Sequence, residues 1–251
     1  MSRVIGIQHR VKKTKEGEAR PTKLCILETG AQRKLDLATE TDELDFLLGR
    51  FPVKYRAVQA DDNPADFQPH HIKWRELKKD EDWTATTLEA HRRQQGKKRF
   101  EAMKVPAAYD GFQAGDHVIM ILGGSGGRFA CALSRRAEEL GNNTVVSRIT
   151  PKDLKDGREK LGRGKDDDAQ TLVEMLQAGQ CAFWPTNRRE RDLIRLTEAF
   201  RARIDAMKAR IACEQRLRQT LIGGIFCTEE GRYPEGSLEQ AYDDCKANDH
   251  I

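Results

Sequence analysis

The sequence lacks the features that mark membrane, secreted and zinc-binding proteins. No run approaches the roughly 20 consecutive apolar residues needed to span a bilayer. The first residues enter a β-like run without the basic segment and apolar stretch of a signal peptide, which predicts a cytoplasmic protein. The six cysteines lie far apart, with no CxxC pair and no Cys/His pairing at metal-ligand spacing, so we expect free thiols.

A large excess of charge of one sign is also lacking. The formal net charge is +4, so only the clustering of basic residues can argue for a nucleic-acid partner. The 251 residues are enough for one sizeable α/β domain and a smaller appendage, which can bury a core without metal or disulfide support.

Three β-like runs and a helix-like run occupy residues 1–59. The runs at 4–7, at 23–28 and around Leu35 and Leu37 predict three antiparallel strands. Residues 41–48 carry leucines at helical spacing and predict a helix.

Residues 60–115 form a polar segment that we interpret as an insertion. A short basic helix is expected over residues 88–100, where solvated surface charge and nucleic-acid contact are equally favoured. His70 and His71 have no Cys or acidic residue at ligand spacing and are interpreted as loop histidines.

Residues 116–180 carry the clearest α/β pattern. A buried-strand run at 116–122, the glycines of 123–127 and an amphipathic stretch at 128–140 predict a strand, a tight turn and a helix. Residues 144–149 predict the next, parallel strand. A charged connector at 152–165 is then expected to lead into a helix from about 166 to 178.

Residues 187–222 predict one long helix. Its apolar seam has coiled-coil-like spacing and consists of Leu193, Leu196, Phe200, Ile204, Met207 and Ile211. Nine arginines against five acids in this segment indicate a basic face that follows a phosphate backbone. A solvated helix that pairs with a second copy would show the same pattern, and the two interpretations are compatible. The tail, 223–251, is expected to hold a short helix around 238–246.

The order of these elements is that of the ribonuclease-H-like fold, an α/β fold with a mixed sheet. Enzymes built on it gather carboxylates from the first strand, the end of the fourth strand and a late helix, because two divalent metals are held about 4 Å apart around the scissile phosphate.

Residues 117–222 add sequence motifs to this order. The motifs follow one another in a fixed order. First come a strand and a glycine turn, then a helix that ends at a Leu-Gly pair, and then a strand followed by a proline. The last two are an acidic helix start and a long arginine-rich helix. The residues concerned are 118–122, 123–127, Leu140, Gly141, Pro151, 163–169, Leu172, Met175, Leu176 and 193–196. Over about two-fifths of its length the chain thereby resembles the RuvC-like, DEDD-type insertion-sequence transposases, which include bridge-RNA-guided recombinases and pilin-gene invertases.

The resemblance implies a DNA or guide-RNA partner, with Mg²⁺ as cofactor if the catalytic acids are kept. The family's first acid falls on Gln8 and its second on Leu122 or Gly123. Amide and aliphatic side chains do not ligate Mg²⁺ as a carboxylate does. We therefore expect a degenerate N-terminal domain of this family that binds nucleic acid and has lost its nuclease activity.

The family's late acidic pair is compressed in this chain into Asp166, Asp167 and Asp168. Aligned on Ala169, Asp168 keeps the last acid while Lys165 stands at the third. A helix turns about 100° per residue, so adjacent aspartates are expected to point apart. The three aspartates are remnant catalytic candidates, with Asp168 a possible metal ligand.

The candidate nucleic-acid contacts are basic residues in the matched region. They are Arg128, Arg163, Lys165, Arg188, Arg189, Arg191, Arg195, Arg201, Arg203, Lys208 and Arg210. The family also has a nucleophilic serine in a C-terminal half, whereas Ser237 stands before an apolar run and is interpreted as a helix N-cap.

The sequence is compatible with functions of other classes as well. The loop from Gly123 to Arg128 can serve as a phosphate loop of a nucleotide-binding protein. It lacks a Walker lysine, and Ile149 and Thr150 stand where a dinucleotide site has an acid. Three further functions also fit the sequence. The chain can be an active metal-dependent nuclease with a rearranged site, or a nuclease whose missing acids come from a partner chain. It can also be a structural subunit that assembles through the long helix.

Overall fold

The computed structural model describes residues 3–9, 20–78, 81, 89–121, 126–180, 182–226 and 243. The chain divides into two compact units, residues 1–191 and 192–251. The elements of the described residues are β1 (Val4–Gln8), β2 (Thr22–Glu28), β3 (Ala31–Leu37), α1 (Glu40–Leu47), β4 (Phe51–Ala57), β5 (Lys73–Glu76), β6 (Arg92–Gln95), β7 (Lys98–Asp110), β8 (His117–Ile121), α2 (Gly126–Leu140), β9 (Val145–Ile149), α3 (Pro151–Leu161), α4 (Asp168–Gln177), β10 (Trp184–Pro185) and α5 (Arg188–Phe226).

The first unit is an α/β structure around a mixed six-stranded sheet. The strand order is β10-β9-β8-β1-β2-β3. β1, β2 and β3 are antiparallel neighbours, whereas β1, β8 and β9 run parallel. The three antiparallel strands, the helix after them and the parallel strand–helix–strand unit are confirmed.

Helices cover both faces of this sheet because alternate residues of its strands are apolar on both sides. Val118 and Met120 of β8 join a core with Phe46 of α1 and Leu133 of α2. Ile119 lies in a second core, together with residues of α3 and α4. The sheet is therefore the middle of three layers, and both faces are buried.

A buried ion-pair network fixes the entry into β1. Arg3 donates two hydrogen bonds to Asp116, at 2.8 and 2.7 Å, and one to Asp110 at 2.8 Å. Burial raises the pKa of the Asp110 carboxyl, but hydrogen bonds from Arg3, Arg33 and the Gly111 backbone outweigh it, so the pKa lies below its usual value. The network joins β1, β7 and β8 where their ends meet.

Residues 51–110 include a second sheet, in which β7 pairs with β4, β5 and β6. The expected helix at 88–100 is wrong over its described part, which forms the 3₁₀ turn Glu89–His91, β6 and the start of β7. Gly96, with a φ of +62°, turns the chain so that Gln95 faces Lys98 in a hairpin. β4 belongs to this second sheet although it precedes residue 60, where the polar insertion was expected to begin.

A helix, α3, stands where a charged connector at 152–165 was expected. The Thr150 side chain accepts a hydrogen bond from the Asp153 backbone, Pro151 occupies the first turn, and Gly162 ends the helix at a φ of +62°. Leu154 and Gly157 form its buried face. The prediction of a connector at 152–165 is therefore wrong: the residues that begin and end this helix determine the structure, despite the high charge of the segment.

α5 confirms the long helix and has 39 residues, about 58 Å at 1.5 Å per residue. The described residues contain no helix that is long and apolar enough to cross a membrane. Cys25, Cys131 and Cys213 are free thiols, while Cys181, Cys227 and Cys245 lie outside the described residues.

Candidate nucleic-acid-binding cleft

A cleft of about 450 Å³ lies where β1 ends. Its wall consists of the end of β1, the start of β2 and the 3₁₀ turn before α4. The lining residues are Gln8, His9, Arg20, Pro21, Lys23, Lys165, Asp166 and Asp168. Since Ile7 of β1 pairs with Met120 of the parallel β8, both strands end on this side of the sheet. The structure thus brings Gln8, Lys165 and Asp168 together.

Gln8 is tied to the turn before α4. Its Nε2 donates a hydrogen bond of 2.7 Å to the Lys165 carbonyl, which sets the orientation of the amide because the opposite orientation would place two oxygens together. Its Oε1 is buried and has no hydrogen-bond partner among the described residues. The first expected acid position therefore offers a neutral, fixed amide.

The aspartates of the triplet point apart, as the helical rotation predicts. Asp166 is exposed and its Oδ1 lies 3.7 Å from Arg20 Nη1. The Asp167 Oδ1 lies 3.5 Å from Lys34 Nζ, on the side of β3. These exposed ion pairs contribute little to stability, but they show that the two carboxylates face different cations.

Asp168 is the buried member of the triplet and begins α4. Its Oδ1 lies 3.2 Å from Nε of Arg158 in α3. Burial raises the pKa of the Asp168 carboxyl above its usual value, in spite of the attraction of Arg158 and Lys165. The Asp168 carboxylate is thus paired with a guanidinium.

The described residues of the cleft do not fit a pair of Mg²⁺ ions. Two ions about 4 Å apart need several carboxylate oxygens facing one point. Here an amide stands at Gln8, the guanidinium of Arg158 accompanies Asp168, and Asp166 and Asp167 face Arg20 and Lys34. Among the described residues that line the cleft, the cations Arg20, Lys23 and Lys165 outnumber the carboxylates of Asp166 and Asp168.

A His–Glu pair that sequence spacing does not reveal lies beside Gln8. His9 Nε2 is 3.4 Å from Oε1 of Glu43 in α1, and the same oxygen accepts a hydrogen bond of 2.6 Å from Thr22. A Cβ added to Gly126, the first residue of α2, would lie 3.4 Å from the His9 Cβ. The start of α2 therefore lies next to the cleft. In the sequence, the one indication that His9 belongs to a site is its position as a polar residue directly after a buried strand.

The basic candidates in residues 128–165 have different surroundings. Arg128 is exposed in the first turn of α2, and Lys165 is exposed at the cleft. Arg163 donates a hydrogen bond of 2.7 Å to Glu174, so part of its guanidinium is engaged within the fold.

Arg191, another candidate, is 6% exposed. Its guanidinium donates to both carboxylate oxygens of Glu138, at 2.7 and 2.8 Å, and to Ser134 at 2.9 Å. Because it is enclosed by α2, Arg191 anchors the first turn of α5 and is not available to a phosphate.

The remaining candidates on α5 are exposed. Arg195, Arg201 and Arg210 form ion pairs with acids three or four residues away on the helix, and such pairs are weak enough to open for a phosphate. The exposed basic candidates of this helix are Arg188, Arg189, Arg195, Arg201, Arg203, Lys208 and Arg210.

Several predictions concern residues outside the described part of the chain. These are the second acid position at Leu122 and Gly123, most of the glycine loop, the N-cap role of Ser237 and the helix at 238–246, except Asp243, which is helical.

Comparisons with protein-family models, curated proteins and solved structures found no match for this chain. The resemblance to DEDD-type transposases therefore rests on the residues of the chain alone.

Proposed function

We propose that the chain is a ribonuclease-H-like, RuvC-type nucleic-acid-binding protein related to DEDD-type transposases, which holds DNA or guide RNA without cutting it. The strand order supports this proposal. Antiparallel β2 and β3 lie on one side of β1, and parallel β8 and β9 lie on the other, which is the arrangement that the resemblance implies.

The composition of the cleft carries the proposal. Arg20, Lys23 and Lys165 line it against two carboxylates, Asp166 and Asp168, so cations are in excess, and the amide of Gln8 stands at the first acid position. Cationic side chains at a solvent-open cleft bind phosphate oxygens. The exposed basic residues of α5 supply a second phosphate-binding surface, and we propose a second copy of the chain as the partner of its apolar seam.

Nucleic-acid binding across a salt series tests the proposal. Each lysine or arginine that neutralises a phosphate adds about 0.9 to the slope of log affinity against log salt concentration for duplex DNA. Replacement of Arg20, Lys23 and Lys165 by alanine is expected to weaken binding to all sequences and to lower this slope by about two to three. Fluorescence anisotropy with single-stranded and duplex DNA and RNA measures both quantities.

The matched control removes three lysines from α3. Lys152, Lys155 and Lys160 are exposed and do not line the cleft. Their replacement by alanine makes the same change in net charge and is expected to leave the slope unchanged. Equal losses in the two variants would show that net charge alone attracts the nucleic acid. Absence of binding at low salt would overturn the proposal.

Digestion assays test the other half of the proposal. No cleavage of DNA or RNA is expected with Mg²⁺ or Mn²⁺, because the two carboxylates that line the cleft, Asp166 and Asp168, pair with different arginines. Metal-dependent cleavage that is lost in Asp168→Ala would instead establish an active nuclease with a rearranged site.

A further inference from the structure

A second polar cluster lies away from the lining of the cleft, where α1 meets the loop before β5. Nε2 of His70 and Nε2 of His71 both lie 2.7 Å from Oδ2 of Asp45. One donor atom from each of the three residues lies within 4.8 Å of the others. Asp45 is fully buried and His71 nearly so, while the His70 side chain is 40% exposed.

The fold prepares a single oxygen of Asp45 for these imidazoles. Oδ1 accepts a hydrogen bond of 2.7 Å from Nε of Arg50, and the Arg50 backbone N–H donates to the Asp45 carbonyl at 2.8 Å. Arg50 therefore holds the carboxylate in place from one side. Oδ2 is left facing His70 and His71, in the way that outer partners orient a metal ligand.

We propose that Asp45, His70 and His71 form a binding site for a divalent transition-metal ion of the Zn²⁺ type. Two imidazole nitrogens and one carboxylate oxygen are a ligand set that zinc accepts in four-coordinate sites with one open position. Hard ions such as Mg²⁺ and Ca²⁺ prefer oxygen ligands throughout. The nucleic-acid proposal does not require this site.

The geometry needs only a small adjustment to admit the ion. Ligand bonds of about 2.0–2.2 Å in a tetrahedral arrangement separate the donor atoms by roughly 3.3 Å, compared with the present 2.7 Å contacts to Oδ2. Both contacts must therefore lengthen by about 0.6 Å: the half-exposed His70 can move outward into solvent, and the nearly buried His71 needs an equal shift relative to the Asp45 side chain. The exposure of His70 provides the entry path and the open fourth position.

The competing explanation is a hydrogen-bonded staple, in which both imidazoles donate to Asp45 and join α1 to the loop. A staple binds no metal, so the two explanations predict different results. Titration of the untagged, chelator-treated chain with Zn²⁺ in a calorimeter is expected to show one ion per chain. Co²⁺ is expected to give the visible d–d bands of a four-coordinate complex.

His70→Gln tests the site without disturbing a buried group, because the His70 side chain reaches the surface. The variant is expected to lower Zn²⁺ affinity by more than about tenfold, the smaller end of the effects seen when supporting residues of metal sites are lost. Its unfolding midpoint without metal is expected to stay close to that of the parent chain.

His117→Gln is the matched control, since it removes one imidazole that bonds Ser147 at 2.9 Å on the main sheet. This variant is expected to bind Zn²⁺ as the parent chain does. The proposal fails if the parent chain shows neither binding heat nor Co²⁺ bands, if His70→Gln binds as tightly as the parent, or if His117→Gln loses the same affinity.

Discussion

Gly6 sets how closely α4 approaches the central strand of the main sheet. A Cβ at this position would lie 2.0 Å from the Ala169 backbone oxygen and 3.0 Å from a methyl group of Val173. α4 carries Asp168 to the cleft, and its first residues follow the turn to which Gln8 is bonded. The missing side chain of one glycine therefore helps to set the width of the cleft.

Gly6→Ala is expected to destabilise the chain by at least about 2 kcal/mol, because a backbone atom cannot move aside as a side chain does. Gly157→Ala makes a comparably close contact, at 2.2 Å, with the sulfur of Met175. Met175 is flexible, so the loss there is expected to be smaller. Chemical denaturation measures both free energies of unfolding.

Gly164→Ala serves as the control, because nothing lies within 4 Å of its added Cβ and its φ of −85° suits alanine. It is expected to change stability by less than about 1 kcal/mol, because the entropy gained with alanine is opposed by the poorer fit of alanine at the N-cap position of Gly164. A Gly6→Ala variant as stable as Gly164→Ala would contradict the close packing of β1 on α4.

Single residues of the cleft differ in how far the sequence predicts them. Adjacent aspartates of the triplet pair with different cations, as rotation along a helical turn predicts, although Asp166 and Asp168 both line the cleft. The partners of these residues are not predictable from the sequence, because Arg20, Lys34 and Arg158 lie on other elements that only the fold brings to the triplet. The cluster of Asp45 with His70 was missed for a related reason: its members are 25 residues apart, and folding alone brings them together.

At the scale of elements, end signals were better guides than overall polarity. α1 has a capping box at Thr39, in which its side chain and that of Asp42 satisfy each other's backbone N–H groups. α3 has an equally clear start at Thr150 and a glycine end, but it carries many charges. A short helix that buries only a narrow face can be mostly charged, so composition alone misassigns it.

The first turn of α5 is fixed to α2 through Arg191. Arg191 reaches α2, and its hydrogen bonds lower the pKa of the Glu138 carboxyl below its usual value. Arg191→Ala is expected to cost about 2 kcal/mol, as loss of charge-assisted hydrogen bonds in a largely buried position does. Urea unfolding of the full chain provides the measurement.

Arg195→Ala removes an arginine one turn further along the same helix. Arg195 is exposed and its partner, Asp192, is equally accessible, so the loss is expected to stay within about 0.5 kcal/mol. Equal effects of the two substitutions would show that Arg191 is not an anchor.

At the scale of the whole molecule, five of the six strands of the main sheet were predictable, whereas β10 and the second sheet were not. β1, β2, β8 and β9 are apolar runs, β3 is marked only by the alternation of Leu35 and Leu37, and the strand–helix–strand unit permits only a parallel pairing. β6 consists only of arginine and glutamine, and the start of β7 that pairs with it is mostly charged, so no apolar alternation marks this hairpin, although Ala102 and Val105 further along β7 are buried. Periodicity cannot predict a sheet of this kind.

The apolar seam of α5 is the surface through which we propose that copies of the chain associate. Leu193, Leu196, Phe200, Met207 and Ile211 are between 45% and 67% exposed, although their spacing is that of a coiled coil. Identical copies carry identical seams, so a second copy is complementary to this face, and burying large apolar side chains stabilises the pair.

We expect sedimentation equilibrium to show a dimer or larger oligomer of the chain, and the double variant Phe200→Glu, Met207→Glu to be monomeric. These two residues are seven positions apart and lie on one face of the helix, so two buried carboxylates on each copy would oppose association.

The double variant Ala202→Glu, Ala209→Glu adds the same charge at the same spacing, at exposed positions about 200° further around the helix. Its oligomeric state is expected to equal that of the parent chain. A monomeric parent chain, or equal dissociation in both variants, would contradict self-association through the seam and leave α5 as a single helix whose apolar side chains face another partner.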